Sequence, residues 1–389
     1  MRRGSLSITL AKLALLGASL GLSFVVCEVL LRSLGYAAIY EVYSNPEMLW
    51  QHDEQLGWSH EPSSEAPYVG PRPWPIEFQS RVVINSLGLR GPEPQPLPEN
   101  GIRILFLGDS MVAGFEVEYE ETFCALLEGL LTQALGVPVQ VINGGVRGYG
   151  TDQSYLYYRE RGRLHDPDLV LLWLSENDLL DDVTIHRMRR VFGKPAFVDD
   201  GKGDLRLLGS PVPIYPECSE YRIDATREIV RFDGLAGRAL CRLQIALFNR
   251  SALFSFLTTL LPWEQWGSLL QQLYYFGMPS PIAADDEDQP PAAQPITQLI
   301  LREMIDEVRV SRKPFAFVST PRVFAHFADE GVEIEPESAI VLDAIEASDP
   351  TVTQFKHDSH YTPAGHRVVE EQLAELLMPV LRRPDAPAP

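Results

Sequence analysis

The stretch that decides the fold is Ile102-Arg103-Ile104-Leu105-Phe106-Leu107-Gly108-Asp109-Ser110. Its apolar run, Ile104 to Leu107, stops abruptly at Gly108, and a hydroxyl follows two residues later. Such a run predicts a strand buried on both faces of a parallel sheet. Gly108 permits a sharp turn at the strand's carboxyl end, which is where ligands bind in open α/β sheets. Ser110 would stand there with an exposed oxygen. The competing reading is a helix N-cap, because Ser and Asp both cap well before a following helix. The tripeptide alone does not separate the two.

Outward from this stretch, residues 101–182 alternate strand and helix patterns. Phe123, Leu126, Leu127, Leu130, Leu131 and Ala134 recur at helical spacing behind Thr122, a suitable cap. Val139 to Ile142 predicts a second strand, ending in Asn143-Gly144-Gly145. Thr151 to Leu164 predicts a helix capped by Thr151. Asp168 to Leu174 holds a third buried strand, ending in Ser175-Glu176-Asn177-Asp178. A β-α-β-α-β series implies parallel strands with right-handed crossovers.

Residues 183–295 break the rhythm and form an insertion. Its helical stretches, such as Ala252 to Leu261 and Gln265 to Phe276, come with Trp263, Trp266, Tyr274, Tyr275 and Phe276, and the acidic run 285–288 leads through Gln289 into Pro290-Pro291 as a solvated loop. An insertion of this kind beside a site serves as a lid or binding wall. The α/β pattern resumes with a helix over Ile296 to Arg312 and a strand over Pro314 to Ser319. A last helix follows over Pro363 to Leu381, with Thr362 as cap and Pro363 at its first position. Residues 321–350 are ambiguous, and 383–389 read as a disordered tail. Before the core, residues 36–100 are rich in Pro, Trp and polar residues, among them Trp50, Trp58, Pro71, Pro73, Trp74 and Pro75. Only Arg81 to Ile84 reads as a strand, so an extended lead-in is expected.

The 389-residue chain has a formal net charge of −20. That argues against nucleic acid as a partner, since binding a phosphate backbone needs a basic footprint. Met1-Arg2-Arg3 precedes an apolar stretch over 8–31, which as a helix would span ~36 Å, enough for a ~30 Å hydrocarbon core. The expectation is a single-pass signal anchor with residues 1–7 in the cytoplasm and the rest of the chain outside it, with Lys12 and Glu28 snorkelling. A cleaved signal peptide with its site at Gly35-Tyr36-Ala37 is the competing reading, but Glu28 and Arg32 separate that site from the apolar run. Four cysteines are too few for a disulfide framework. Cys124 reads as core, and Cys218 and Cys241 could pair in an oxidising compartment.

Three strand ends thus present polar or glycine-rich turns at one sheet edge, and His357-Asp358-Ser359-His360 precedes the last helix. A nucleophilic serine needs a base in hydrogen-bond reach and a group to orient that base. Ser110, His360 and Asp358 supply these. The backbone N–H groups of Ser110 and Gly145 and the side-chain amide of Asn177 can meet an oxyanion. Arg147 and Tyr149 are placed as lining residues. His357, Asp358 and His360 could be zinc ligands by type, but no fourth ligand is evident and no metal or other cofactor is expected. His366 reads as structural, and Asp109, Asn177 and Asp178 each also read as caps or turn residues.

This set resembles the SGNH (GDSL-like) hydrolase family. Gly108-Asp109-Ser110, Asn143-Gly144-Gly145, Asn177-Asp178 and His360 with Pro363-Ala364-Gly365-His366 match its four blocks in order. The resemblance covers about 100–182 and 296–382 and places an SGNH hydrolase domain over 101–382. It implies a three-layer flavodoxin-like α/β sandwich with a central parallel sheet, and ester hydrolysis or acyl transfer without a metal. The N-terminal anchor, Asn85-Ser86-Leu87-Gly88-Leu89-Arg90-Gly91 and Gly148-Tyr149-Gly150-Thr151-Asp152-Gln153 resemble membrane-anchored bacterial members. The family's usual acid lies three residues before the histidine, where this chain has His357. Asp358, two residues before, is the acid expected here, with a Ser-His dyad if it cannot reach. The expected function is a serine esterase acting in the periplasm, anchored in the inner membrane, on an O-acyl or O-acetyl ester of a carbohydrate or lipid. An O-acyltransferase modifying an exported polysaccharide and a non-catalytic envelope assembly scaffold are the alternatives.

Overall fold

The computed structural model describes residues 2–35, 49–70, 77–187, 191–224, 226–248, 251–259, 296–356 and 358–382. Helix α1 (Arg2–Ser33) is followed by the hairpin β1 (Trp50–Asp53) and β2 (Gly57–His60), and by a second hairpin, β3 (Glu65–Gly70) and β4 (Phe78–Val83). Next come β5 (Ile102–Gly108), α2 (Ser110–Ala113), α3 (Phe123–Leu135), β6 (Val139–Gly145), α4 (Thr151–Glu160), β7 (Leu169–Trp173) and α5 (Asp178–Val183). The insertion contributes β8 (Thr184–His186), β9 (Ala196–Asp199), β10 (Leu205–Leu208), β11 (Tyr221–Ile223), β12 (Ile229–Arg231), α6 (Leu235–Phe248) and α7 (Ala252–Thr259). The chain continues through α8 (Ile296–Val310), β13 (Phe315–Ser319), α9 (Pro321–Asp329), β14 (Ala339–Val341) and α10 (Pro363–Leu381).

Five strands form one parallel sheet in the order β14-β13-β7-β5-β6. Counted from β5, this is the 2-1-3-4-5 order of a doubly wound flavodoxin-like sheet. β5 lies inside it, as its unbroken apolar run requires. Side chains alternate across the strand. Ile104 and Phe106 pack with Phe123, Leu127, Leu131, Val369 and Leu373 of α3 and α10 on one face. Leu105 and Leu107 pack with Leu156, Ile300 and Met304 of α4 and α8 on the other. The result is a three-layer sandwich.

Some boundaries differ from the sequence reading. α3 buries Phe123, Cys124, Leu127 and Leu131, while Leu130 and Ala134 turn outward. The face is centred one residue earlier because α10 and the sheet together cover it. Thr122 caps α3 by accepting from the Ala125 N–H at 3.3 Å. α4 starts after Gly150, not Thr151, whose hydroxyl donates to Asp182 at 2.7 Å. It ends at Glu160, and a 3-10 turn over Gly162–His165 completes the predicted helix.

The lead-in holds four strands where the sequence suggests one. Short strands with polar outward faces carry little periodic signal, and burial comes only on pairing. Leu49, Ala66, Tyr68, Phe78, Val82 and Ile84 form a small core with Ala113 and Phe115, so the lead-in packs against the loop that follows Ser110. Arg90 is the anchor. It is 2% exposed and donates to the Ala113 carbonyl at 2.6 Å, to the Gly114 carbonyl and to the Val117 carbonyl at 2.5 Å. Burial lowers its pKa to about 10 against the pull of Glu116, so it stays charged at neutral pH. Arg90→Met strands those carbonyls. It is expected to cost about 2–3 kcal/mol in chemical unfolding, and Arg90→Lys should recover only part of that.

Among the described residues one helix is long and apolar enough to cross a membrane, over Ala11–Ser33, with mean hydropathy 2.1. Glu28 within it does not simply reach for solvent. Its carboxylate accepts from Ser251 Oγ and the N–H groups of Ala252 and Leu253, each at 2.9 Å, and from Arg32 Nε at 2.7 Å. It therefore caps the start of α7, whose Phe254 ring lies 6.5 Å from that of Phe24. Cys218 and Cys241 form a disulfide with Cα atoms 5.8 Å apart. The predicted helix 265–276 with its aromatics, the acidic run 285–288, Pro71 to Pro75, the Tyr36-Ala37 site, His357 and the tail 383–389 lie outside the described residues.

Candidate active site

The turn after β5 is built by close packing. Gly108 has φ +150°, and a Cβ there would lie 2.7 Å from Val112 Cγ2 and 2.9 Å from Trp173 Cβ. Asp109 is buried, and its Oδ1 accepts from the Met111 N–H at 2.9 Å. The capping role thus falls to Asp109, which leaves the Ser110 hydroxyl for other work. That hydroxyl lies 2.7 Å from His360 Nε2, across 250 residues of sequence.

His360 is held by the loop before α10. Its carbonyl accepts from the Phe355 N–H at 3.1 Å, its neighbour Tyr361 is buried, and Thr362 caps α10 through the Gly365 N–H at 3.2 Å. Asp358 Oδ1 bonds the ring Nδ1 and accepts from the His360 backbone N–H at 3.1 Å. A spacing of two residues suffices because the loop folds Asp358 back on its own chain. With Nδ1–H turned to Asp358, Nε2 is free to accept from Ser110. Burial pushes the Asp358 carboxyl up, but the His360 hydrogen bonds and charge, with Arg147, outweigh it and hold the carboxyl below its usual range.

A residue that the sequence reading missed stands behind the ring. Glu116 Oε1 lies 3.5 Å from His360 Nδ1, with the side chain fully buried and ion-paired to Arg147. Its only signal in the sequence is an acid between Phe115 and Val117, six residues after Ser110. Donor atoms of Glu116, Asp358 and His360 lie within 4.8 Å of one another. By type they resemble a cation site, but the Arg147 guanidinium already supplies the positive charge, and both ring nitrogens are engaged.

The expected oxyanion donors divide. Gly145 pairs with Gly108 in the register, and a Cβ on it would lie 2.4 Å from the Ala113 nitrogen. Only glycine lets the two turns approach. Its N–H donates to Asn143 Oδ1 at 3.1 Å, while Asn143 Nδ2 donates to the Val112 carbonyl at 2.8 Å. Asn177 stands exposed at the carboxyl end of β7, with its amide donating to Asp181 Oδ2 at 2.6 Å. Among the described residues the Ser110 N–H has no partner.

The two expected lining residues divide. Tyr149 is 1% exposed, and its hydroxyl donates to the Trp58 carbonyl at 2.6 Å. It ties the lead-in to the Gly145 loop and does not face the site, because its ring completes the core beneath that loop. Arg147 turns onto Glu116 and over the Tyr68 ring, 5.1 Å from its centroid. His366 is buried, and its Nδ1 accepts from the Phe123 N–H at 3.2 Å. Burial, with the charges of Arg90 and His360, drives its pKa to about 3. Asp178 accepts from the Ser175 N–H at 2.8 Å, a turn contact.

Residues 106–231 match the GDSL-like Lipase/Acylhydrolase family. An arylesterase of Vibrio mimicus is 37% identical over 76 residues, covering 20% of this chain and 38% of that protein, so the chain spans well under half of that relative's length. Among solved structures, a psychrotrophic esterase from Pseudoalteromonas sp. is 12% identical with a TM-score of 0.37, covering 72% of this chain and 99% of that one. A lipase/acylhydrolase from Enterococcus faecalis is 12% identical with the same TM-score, covering 72% and 96%. The matched segment holds Ser110, Gly145 and Asn177, so over residues 106–231 the chain matches the GDSL-like lipase/acylhydrolase family.

Proposed function

We propose that the protein is a serine esterase that acts outside the cytoplasm through an acyl-enzyme on Ser110, tethered to the inner membrane by α1. The observation that carries the reading is the 2.7 Å contact of Ser110 Oγ with His360 Nε2, with Asp358 on the ring's other nitrogen. Ser110 Oγ attacks the ester carbonyl carbon as Nε2 takes its proton. The Ser110 N–H meets the oxyanion, joined by Gly145 and Asn177 as they turn from Asn143 and Asp181. The tetrahedral centre collapses, and Nε2 returns the proton to the departing alcohol. Water then attacks the acyl-enzyme by the same route, which releases the acid and restores Ser110. Asp358 stays ionised throughout and balances the imidazolium.

The Cys218–Cys241 disulfide supports an oxidising compartment, and Arg2 and Arg3 before α1 support a cytoplasmic N-terminus. A tethered site in that place meets envelope carbohydrate and lipid, so O-acyl or O-acetyl esters of these are the proposed substrates. The test uses the full chain in detergent micelles with p-nitrophenyl acetate and a tagged fluorophosphonate. Hydrolysis that disappears in step with labelling of Ser110 is expected. A folded chain that hydrolyses the ester and takes no label refutes the reading.

A further inference from the structure

Glu116 is a fully buried acid whose Oε2 makes no hydrogen bond among the described residues. A buried carboxylate oxygen without a partner is uncommon and calls for a reason. Its surroundings supply one. Glu116 sits on the segment that begins with Ser110, and Arg90 pins that segment by the carbonyls of Ala113, Gly114 and Val117. Its Oε1 takes the guanidinium of Arg147, two residues after Gly145, and lies 3.5 Å from His360 Nδ1. One side chain therefore joins the serine segment, the glycine loop and the histidine loop.

We propose that Glu116 is a positioning residue that shares with Asp358 the work of holding His360 and balancing the charge its ring takes up. The inference rests on the reading of Ser110 and His360 given above. Asp358 orients the ring only from within its own loop, whereas Glu116 fixes that ring relative to the serine. The groups facing His360 are Asp358 on its own loop, Glu116 after α2, Arg147 after β6, Asp109 before α2 and His366 on α10. Without the Glu116 charge, Arg147 loses this counter-charge behind the ring and opposes protonation of the imidazole more strongly.

The test compares wild type, Glu116→Gln, Glu116→Asp, Asp358→Ala, the Glu116→Gln/Asp358→Ala double variant and Ser110→Ala as full chains in detergent. It reads kcat and KM for p-nitrophenyl acetate across pH, with thermal unfolding as the control. Glu116→Gln keeps shape and a bond to Arg147. It is expected to lower kcat about 10²-fold with KM little changed, and to move the acidic limb of the profile about one unit to lower pH. Glu116→Asp keeps the charge and should hold that limb near its wild-type position. Asp358→Ala should cost less than the ~10⁴ typical of losing a lone acid, and the double variant more than the product of the two single losses. A Glu116→Gln chain with wild-type rate and profile overturns the inference, as does Asp358→Ala showing the full ~10⁴ loss. The second reading survives a failure of Glu116→Gln to fold. If Ser110→Ala retains activity, the reading of the site fails. If Ser110→Ala is inactive while either overturning result holds, only the role of Glu116 fails.

Discussion

Ser110→Ala is expected to lower kcat by about 10⁶ while leaving thermal unfolding within about 0.5 kcal/mol of wild type. Both halves of this result follow from the division of labour at the turn. Asp109, not Ser110, supplies the oxygen that accepts the Met111 N–H, so the start of α2 does not need the hydroxyl. The Ser110 side chain is half-buried, and its hydrogen bond in the structure is to His360. Removing it takes away the attacking atom and leaves the packing in place. Initial rates with p-nitrophenyl acetate and a melting curve on the same preparation read the two effects together. A large drop in melting temperature would mean that the hydroxyl is a structural cap, and a small drop in rate would mean that another nucleophile is at work.

What the sequence could tell about this site depended on whether a residue's partners were local. The run 104–107 is apolar on both faces, so its place inside a parallel sheet was legible, and the turn at Gly108 followed from the missing side chain. His360 stands out in the sequence because it lies just before a helix whose cap and first-turn proline are visible as Thr362 and Pro363. Asp358 was within reach of reasoning because its contact is to its own neighbour two residues on. Glu116 was not, because its partners come from 31 and 244 positions away, and an isolated acid in an apolar stretch has no local signature. The lead-in failed for the same reason. Val82 and Ile84 are buried only because the loop around Phe115 lies over them, and Leu56 only because Tyr149 and Leu156 of the main core do. Tyr149 shows the opposite error: its type suits the lining role expected of it, but the Trp58 carbonyl engages its hydroxyl within the core.

Lys194→Met is expected to cost about 3–5 kcal/mol, far more than its place in the insertion suggests. Lys194 is 3% exposed as a side chain and pairs with Asp152, which is 0% exposed. Asp182, also fully buried, accepts from Thr151 Oγ1 at 2.7 Å, Thr297 Oγ1 at 2.6 Å and the Asp152 N–H at 3.1 Å. The cluster thus fastens α4, α5, α8 and the loop before β9 with two acids and one cation. Burial pushes the Asp152 carboxyl up to about 7, opposed by Lys194 and aided by Asp182. Methionine keeps much of the volume but leaves both acids without a counter-charge. Each must then hold a proton to stay folded, while the unfolded chain gives it up near the ordinary aspartate value of 3.8. The native state then binds more protons than the unfolded one, so stability falls as pH rises. The slope is about 1.4 kcal/mol per pH unit for each proton held, from the unfolded value until the raised native one is passed. Urea unfolding of Lys194→Met and wild type at pH 5 and pH 8 reads this directly: the gap between them should be wider at pH 8. An equal gap at both would show that the lysine's apolar stem, not its charge, supports the insertion.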